Sequence, residues 1–164
     1  MTRELDINKE LKDYKKNKGK IEVAEERCRY WQECLDTMGD DEIAREFENT
    51  PPDDRYGMPK AKDNNSPVEG TLVNTEVTRE MVKQWIKDDQ SRIKPLKFKI
   101  EQLDIALGSL DEKEHYIIDC KCIDGWKWWQ VEIGYNEKFK TEIQESRLKQ
   151  IKIQAISKLK AIIN

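Results

Sequence analysis

The sequence is poor in apolar residues and in residues that make tight turns. Only 37% of its 164 residues are hydrophobic, against 38% charged, with seven glycines and five prolines. That balance excludes a large central core and favours long solvated helices, each burying one narrow stripe. No apolar run approaches the roughly 18 residues of a membrane span, and the charged N-terminus lacks the apolar centre of a signal peptide. We therefore expect no membrane association and a cytoplasmic location. Histidine occurs once, at His115, and Cys28, Cys34, Cys120 and Cys122 do not form the C-x-x-C spacing of zinc sites. Buried reduced thiols acting as small hydrophobes fit that pattern better than a metal site. The acids Asp36, Asp40, Asp41, Glu42, Asp53 and Asp54 match no calcium loop and read as solvated surface. No nucleophile–base pair, phosphate loop or ligand cluster is present, so we expect neither an enzyme nor a cofactor.

What the chain does have is heptad periodicity. Ile21, Ala24, Cys28, Trp31, Leu35 and Met38 recur at spacings of three and four, and Ile7, Leu11 and Tyr14 continue the seam upstream. One long helix over residues 4 to 38 is expected, ended by Gly39-Asp40-Asp41. Residues 40 to 48 are open between a loop and a short helix. From about 49 to 74, turn-formers such as Thr50-Pro51-Pro52 and Asn64-Asn65-Ser66-Pro67 leave no period, which reads as an irregular loop. A second helix is expected from about 75 to 108, with Ile86, Ile93, Leu96, Ile100, Leu103, Leu107 and Leu110 on its seam. Pro95 should kink or break it near 91 to 95, because a proline inside a helix removes a hydrogen bond and costs about 3 kcal/mol. The two seams can satisfy each other as an antiparallel hairpin, or pair between chains.

The last third has a different character. Asp111-Glu112-Lys113-Glu114 carries the N-cap and third-position acid of a capping box, and Ile117, Ile118, Cys120 and Cys122 form the apolar side of the helix that follows. Asp124-Gly125 ends it. A short helix from Trp126 to Ile133, a break at Gly134-Tyr135-Asn136 and a basic helix ending near Ile163 complete the chain. Behind the break lie seven cations and three glutamates, +4 on a chain whose formal total is −3. A short helix, a turn and a basic helix spell out a helix-turn-helix, and the charge polarity places DNA on the last helix.

These motifs, Leu110 to Glu114, Ile117-Ile118, Gly125-Trp126, Ile133 to Asn136 and Ala155-Ile156, resemble the fourth-region helix-turn-helix of sigma factors. More closely, the chain resembles phage late-transcription regulators of the RinA and ArpU kind. Two segments of the loop, Tyr56-Gly-Met-Pro-Lys60 and Asn65-Ser-Pro-Val-Glu69, extend the resemblance. It implies a DNA-binding activator of late phage or prophage genes that works with host RNA polymerase. The stretch between Gly125 and Gly134 is shorter than in that pattern, and the stretch from Tyr135 to Ala155 is longer.

A helical wheel places Leu148, Ile151, Ala155, Leu159 and Ile162 on one packing face. The opposite face carries Ser146, Arg147, Gln150, Gln154 and Ser157. Arginine and glutamine pair bidentately with guanine and adenine edges, while Lys149 and Lys152 on the flanks suit phosphates. Asn136, Lys138 and Lys140 belong to the turn, with the two lysines as phosphate clamps. Phe139 and Ile143 do not fit the wheel, so a break is expected near 144 to 146. Trp126 and Trp129, with Ile133, are expected to fill the small core, and Trp128 to be exposed.

The expected fold is all-α: a long, coiled-coil-like helical hairpin over 1–108, then a helix-turn-helix over 109–164. The expected function is DNA-binding transcription regulation on double-stranded promoter DNA with host polymerase, as a monomer or homodimer. Two rivals remain open. One is a packaging component resembling a small terminase subunit. The other is a helical protein-interaction module without DNA binding.

Overall fold

The computed structural model describes residues 6–48 and 76–164, so the loop expected at 49 to 74, with both of its family-like motifs, lies outside the described residues. The described residues are helical and contain no strand. In chain order the helices are α1 (Ile7–Thr37), α2 (Asp40–Glu46), α3 (Arg79–Gly108), α4 (Glu112–Ile117), α5 (Trp128–Phe139) and α6 (Glu145–Ile163). A π-helical segment, Ile118–Ile123, continues α4. Both long helices expected from the heptads are present, and residues 40 to 48 resolve into α2 followed by a turn. No helix among the described residues is long and apolar enough to cross a membrane.

The chain divides into two compact units, one made of Met1–Gly19 with Leu96–Asn164 and the other of Lys20–Pro95. This differs from the division at 108/109 read in the sequence, because each long helix contributes to both units. The division falls beside Gly19 and at Pro95, the residues of lowest helix propensity in α1 and α3. Pro95 does not break α3, which continues through it. Ser91, whose carbonyl the proline leaves without a helical donor, is exposed, so water can satisfy that group.

In the unit Lys20–Pro95, α1 and α3 pair antiparallel. Cys28, Trp31, Cys34 and Leu35 of α1 pack with Val82, Trp85 and Ile86 of α3, and Ile43 and Phe47 close one end. The indole of Trp85 stands 5.6 Å from Trp31 and 5.4 Å from the Phe47 ring. Asp89 is fully buried there and accepts from Arg27 at 2.7 Å and from Arg92 at 3.2 Å. Arg79 donates to the carbonyls of Leu35 and Met38, capping the end of α1.

The other unit carries the candidate site. Ile7 and Leu11 of α1 pack on Leu103, Ala106 and Leu107 of α3, on Leu110 and Ile118, and on Ala155 and Leu159 of α6. Burying each such side chain contributes about 1.5–3 kcal/mol, so α6 is held by its C-terminal half as well as by the turn before it. Tyr14 donates to Asp104, and Lys15 pairs with Asp124. Asp111 caps α4 as expected, its carboxylate accepting from the Glu114 N–H at 2.8 Å. Beyond α4 the backbone unwinds to π-helical pitch: the Asp124 N–H reaches the Asp119 carbonyl, five residues back, at 2.9 Å. Gly125, at φ +72°, then ends the run, and the Trp126 N–H closes onto the Cys120 carbonyl at 2.9 Å.

Candidate nucleic-acid interface

The turn lies further along the chain than the sequence suggested. Gly134, Tyr135 and Asn136 sit inside α5, which runs to Phe139, and the turn spans residues 140–144. Gly134 serves close approach and does not end the helix. A Cβ there would stand 2.5 Å from the Tyr116 hydroxyl and 3.4 Å from Trp126. The helix-ending residue is Lys140, left-handed at φ 52°. Glycine and asparagine are the usual occupants of that conformation, so a lysine there gave no sequence signal. The break expected near 144 to 146 from Phe139 and Ile143 falls earlier, at 140–144, ending at Gln144, the N-cap of α6; both side chains pack half-buried on the core.

That core consists of Ile117, Cys120, Val131, Tyr135 and Leu148, with Tyr116, Trp128, Phe139, Ile143 and Ile151 packed against it. The tryptophan assignment is therefore reversed. Spaced by three and four along α5, Trp128, Val131, Tyr135 and Phe139 form its inner face. Trp126, Trp129 and Ile133 are 38%, 58% and 53% exposed. Burial pushes the Tyr116 phenol up to about 12, helped by its hydrogen bond with Cys120. The thiols of Cys28, Cys34 and Cys120 are free and buried, Cys122 is half-buried, and burial raises all four. His115 meets Asp119 through Nδ1 at 2.8 Å. No group of metal-ligating side chains is present among the described residues.

On α6, Leu148, Ala155 and Leu159 are fully buried and Ile151 is half-buried, as the wheel requires. Ile162 departs from it at 48% exposure near the helix end, where Ile156 and Ile163 pack instead. Ser146, Arg147, Lys149, Gln150, Gln154 and Ser157 are exposed, and Lys152 is half-buried. Arg147 donates to Oε1 of Gln150 at 3.1 Å, and Lys149 pairs with Glu145 at 2.7 Å. One member of this surface was not legible in the polar pattern. Ile153, three residues from Gln150 and four from Ser157, is 68% exposed among these polar side chains.

The turn residues divide. Asn136 is taken up by structure: its Oδ1 accepts from the Ile143 N–H at 2.9 Å and the Thr141 hydroxyl at 3.0 Å, and its Nδ2 donates to the Ile143 carbonyl at 3.0 Å. It braces the turn from inside α5. Lys138 lies 4.9 Å from the Tyr116 ring and 5.5 Å from the Phe139 ring, and 3.9 Å from Glu112, away from the residues gathered on α6. Lys140 is exposed on the turn itself. The structure thus brings together Ser146, Arg147, Lys149, Gln150, Lys152 and Gln154 on one helix. Comparison with protein-family models, with curated proteins and with solved structures finds no match.

Proposed function

We propose that this chain is a phage or prophage transcription regulator that binds promoter DNA through α6 and acts with host RNA polymerase in the bacterial cytoplasm. The observation that carries the reading is the division of α6 into two faces. Leu148, Ala155 and Leu159 are buried, while Ser146, Arg147, Gln150 and Gln154 project to solvent after a braced turn. A helix fixed along one side and rich in bidentate donors on the other suits the major groove. Ile153 adds an apolar contact of the kind a thymine methyl accepts. The protein needs no catalytic group or cofactor for this role, and it recruits or repositions polymerase at late promoters. The resemblance to the late regulators supports the phage assignment, and the helical hairpin is the part expected to dimerise or meet polymerase.

The test is retention of a promoter fragment by the full chain. Arg147→Ala with Gln150→Ala should lower specific binding at least tenfold while leaving thermal unfolding unchanged, since both side chains are exposed. Unchanged retention in the double variant would sink the assignment of this surface. A second reading, a protein-interaction module, draws on the exposed Trp126, Trp129 and Ile133. Salt-insensitive binding to any duplex, or none, would favour it.

A further inference from the structure

Trp128 is the point at which three lysines from two elements meet. Its ring packs on one side against the core of Ile117, Val131 and Leu148. Over it stand the ammonium groups of Lys121 at 5.1 Å, Lys149 at 5.8 Å and Lys152 at 5.9 Å from the ring centroid. Lys121 comes from the π-helical segment, and Lys149 and Lys152 come from α6. The electron-rich ring face attracts each cation but cannot cancel the repulsion among three of them. Glu145 pairs with Lys149, and Lys121 also donates to the Trp126 carbonyl at 2.9 Å, which fixes its reach. Such a group suits an anion with several acceptor oxygens, which the ammoniums can share.

We propose that Lys121, Lys149 and Lys152, spread over Trp128, clamp one DNA backbone phosphate at the flank of α6. This rests on α6 meeting DNA, and it brings two residues, Lys121 and Trp128, into the interface that the helix face alone does not include. At 100° per residue, Lys149 and Lys152 lie to one side of the arc of Ser146, Gln150 and Gln154. A phosphate held there lies beside the groove that the arc reads and sets the depth and register of the helix. The underwound backbone at 118–123 has a part in this, because it carries Lys121 to the same ring as the α6 lysines. Lysine suits the task, since phosphate gripping by point charges carries no sequence information.

The experiment is a salt titration of the full chain against two 30-base-pair duplexes, a selected binding sequence and a scrambled one, followed by fluorescence anisotropy. Lys121→Gln should weaken both duplexes by the same factor and flatten the plot of log affinity against log salt by at most about 0.9, the slope of one whole phosphate contact. Lys121→Arg, which keeps the charge, should retain the parent slope. Lys152→Gln leaves the Lys121–Trp126 bond intact and should give the same decrement, so a folding defect at the π-segment cannot imitate the result. Parent-like slopes in both glutamine variants, or a loss confined to the selected duplex, would overturn the clamp while leaving DNA binding standing. A parent chain that binds neither duplex would remove the DNA reading itself, and the clamp with it.

Discussion

Gly134 shows how one side chain's position dictates another's identity. Glycine inside a helix normally costs about 1 kcal/mol relative to alanine, so Gly134→Ala would stabilise α5 if space allowed. The Tyr116 hydroxyl, 2.5 Å from the missing Cβ, removes that space. Without the hydroxyl, the nearest atoms would stand at 3.4 and 3.7 Å, ordinary contact distances. Gly134→Ala should therefore destabilise the parent but stabilise Tyr116→Phe by up to about 1 kcal/mol. Denaturant titration of the four chains measures this, and equal effects in both backgrounds would refute the packing account. Ile153 carries the complementary prediction on function. Replacing thymine by deoxyuridine removes one methyl, worth about 0.8 kcal/mol when buried, or roughly fourfold in affinity. The parent should lose that much at one position of its site, and Ile153→Ala should be indifferent to the same replacement. Gly134 was visible in the sequence but misread as a turn, because glycine serves both turns and close approach. Ile153 was passed over because an exposed isoleucine on a polar helix face has no periodic signal.

At the scale of elements, α4 and α6 are tied by charge. Glu114 is buried near the start of α4, and Lys158 of α6 donates to its Oε1 at 2.6 Å. That contact raises the Lys158 ammonium above its ordinary range. Such a group stabilises fully below its unfolded value, and the benefit is lost as pH rises through the higher folded value. Asp111 is the opposite case. The Glu114 N–H holds its carboxyl below the usual 3.8, so its contribution is present above that value and disappears as pH falls through the folded one. Asp111→Ala should cost about 1 kcal/mol at neutral pH. Its deficit relative to the parent should shrink below about pH 4 in acid titrations followed by circular dichroism; a constant deficit across that range would exclude capping by the ionised carboxylate. The capping signal was legible because N-cap chemistry is local. The start and the inner face of α5 were not: no preferred N-cap residue marks Lys127, and both Trp126, Trp129 and Ile133 and Trp128, Val131 and Tyr135 recur at helical spacing, so only packing chooses between them.

At the scale of the whole molecule, Asp89 is the buried charge on which pairing of α1 with α3 depends in the unit Lys20–Pro95. Enclosed with Arg27 and Arg92, it specifies one alignment of the two helices among several that a heptad seam allows. Asp89→Ala should cost about 1.5–3 kcal/mol, since it removes the buried acceptor of two charge-assisted hydrogen bonds, while Arg27 and Arg92 both keep access to water. Native-state hydrogen exchange should then rise across 20–37 and 79–95 far more than across 128–163, because Asp89 belongs to a different compact unit from α5 and α6. Uniform acceleration over the whole chain would show instead that the two units unfold together.

The sequence by itself determined the helical class, the two long helices, the buried thiols and the two-faced character of α6. Each of these follows from local periodicity or capping, and neither depends on residues distant in the chain. Tertiary structure decided where the turn falls, which tryptophan enters the core, and that Asn136 braces the turn. It also brought Lys121 to the same indole as Lys149 and Lys152. Those outcomes depend on what Tyr116, Ile143 and α6 place against α5, which no spacing along the chain encodes.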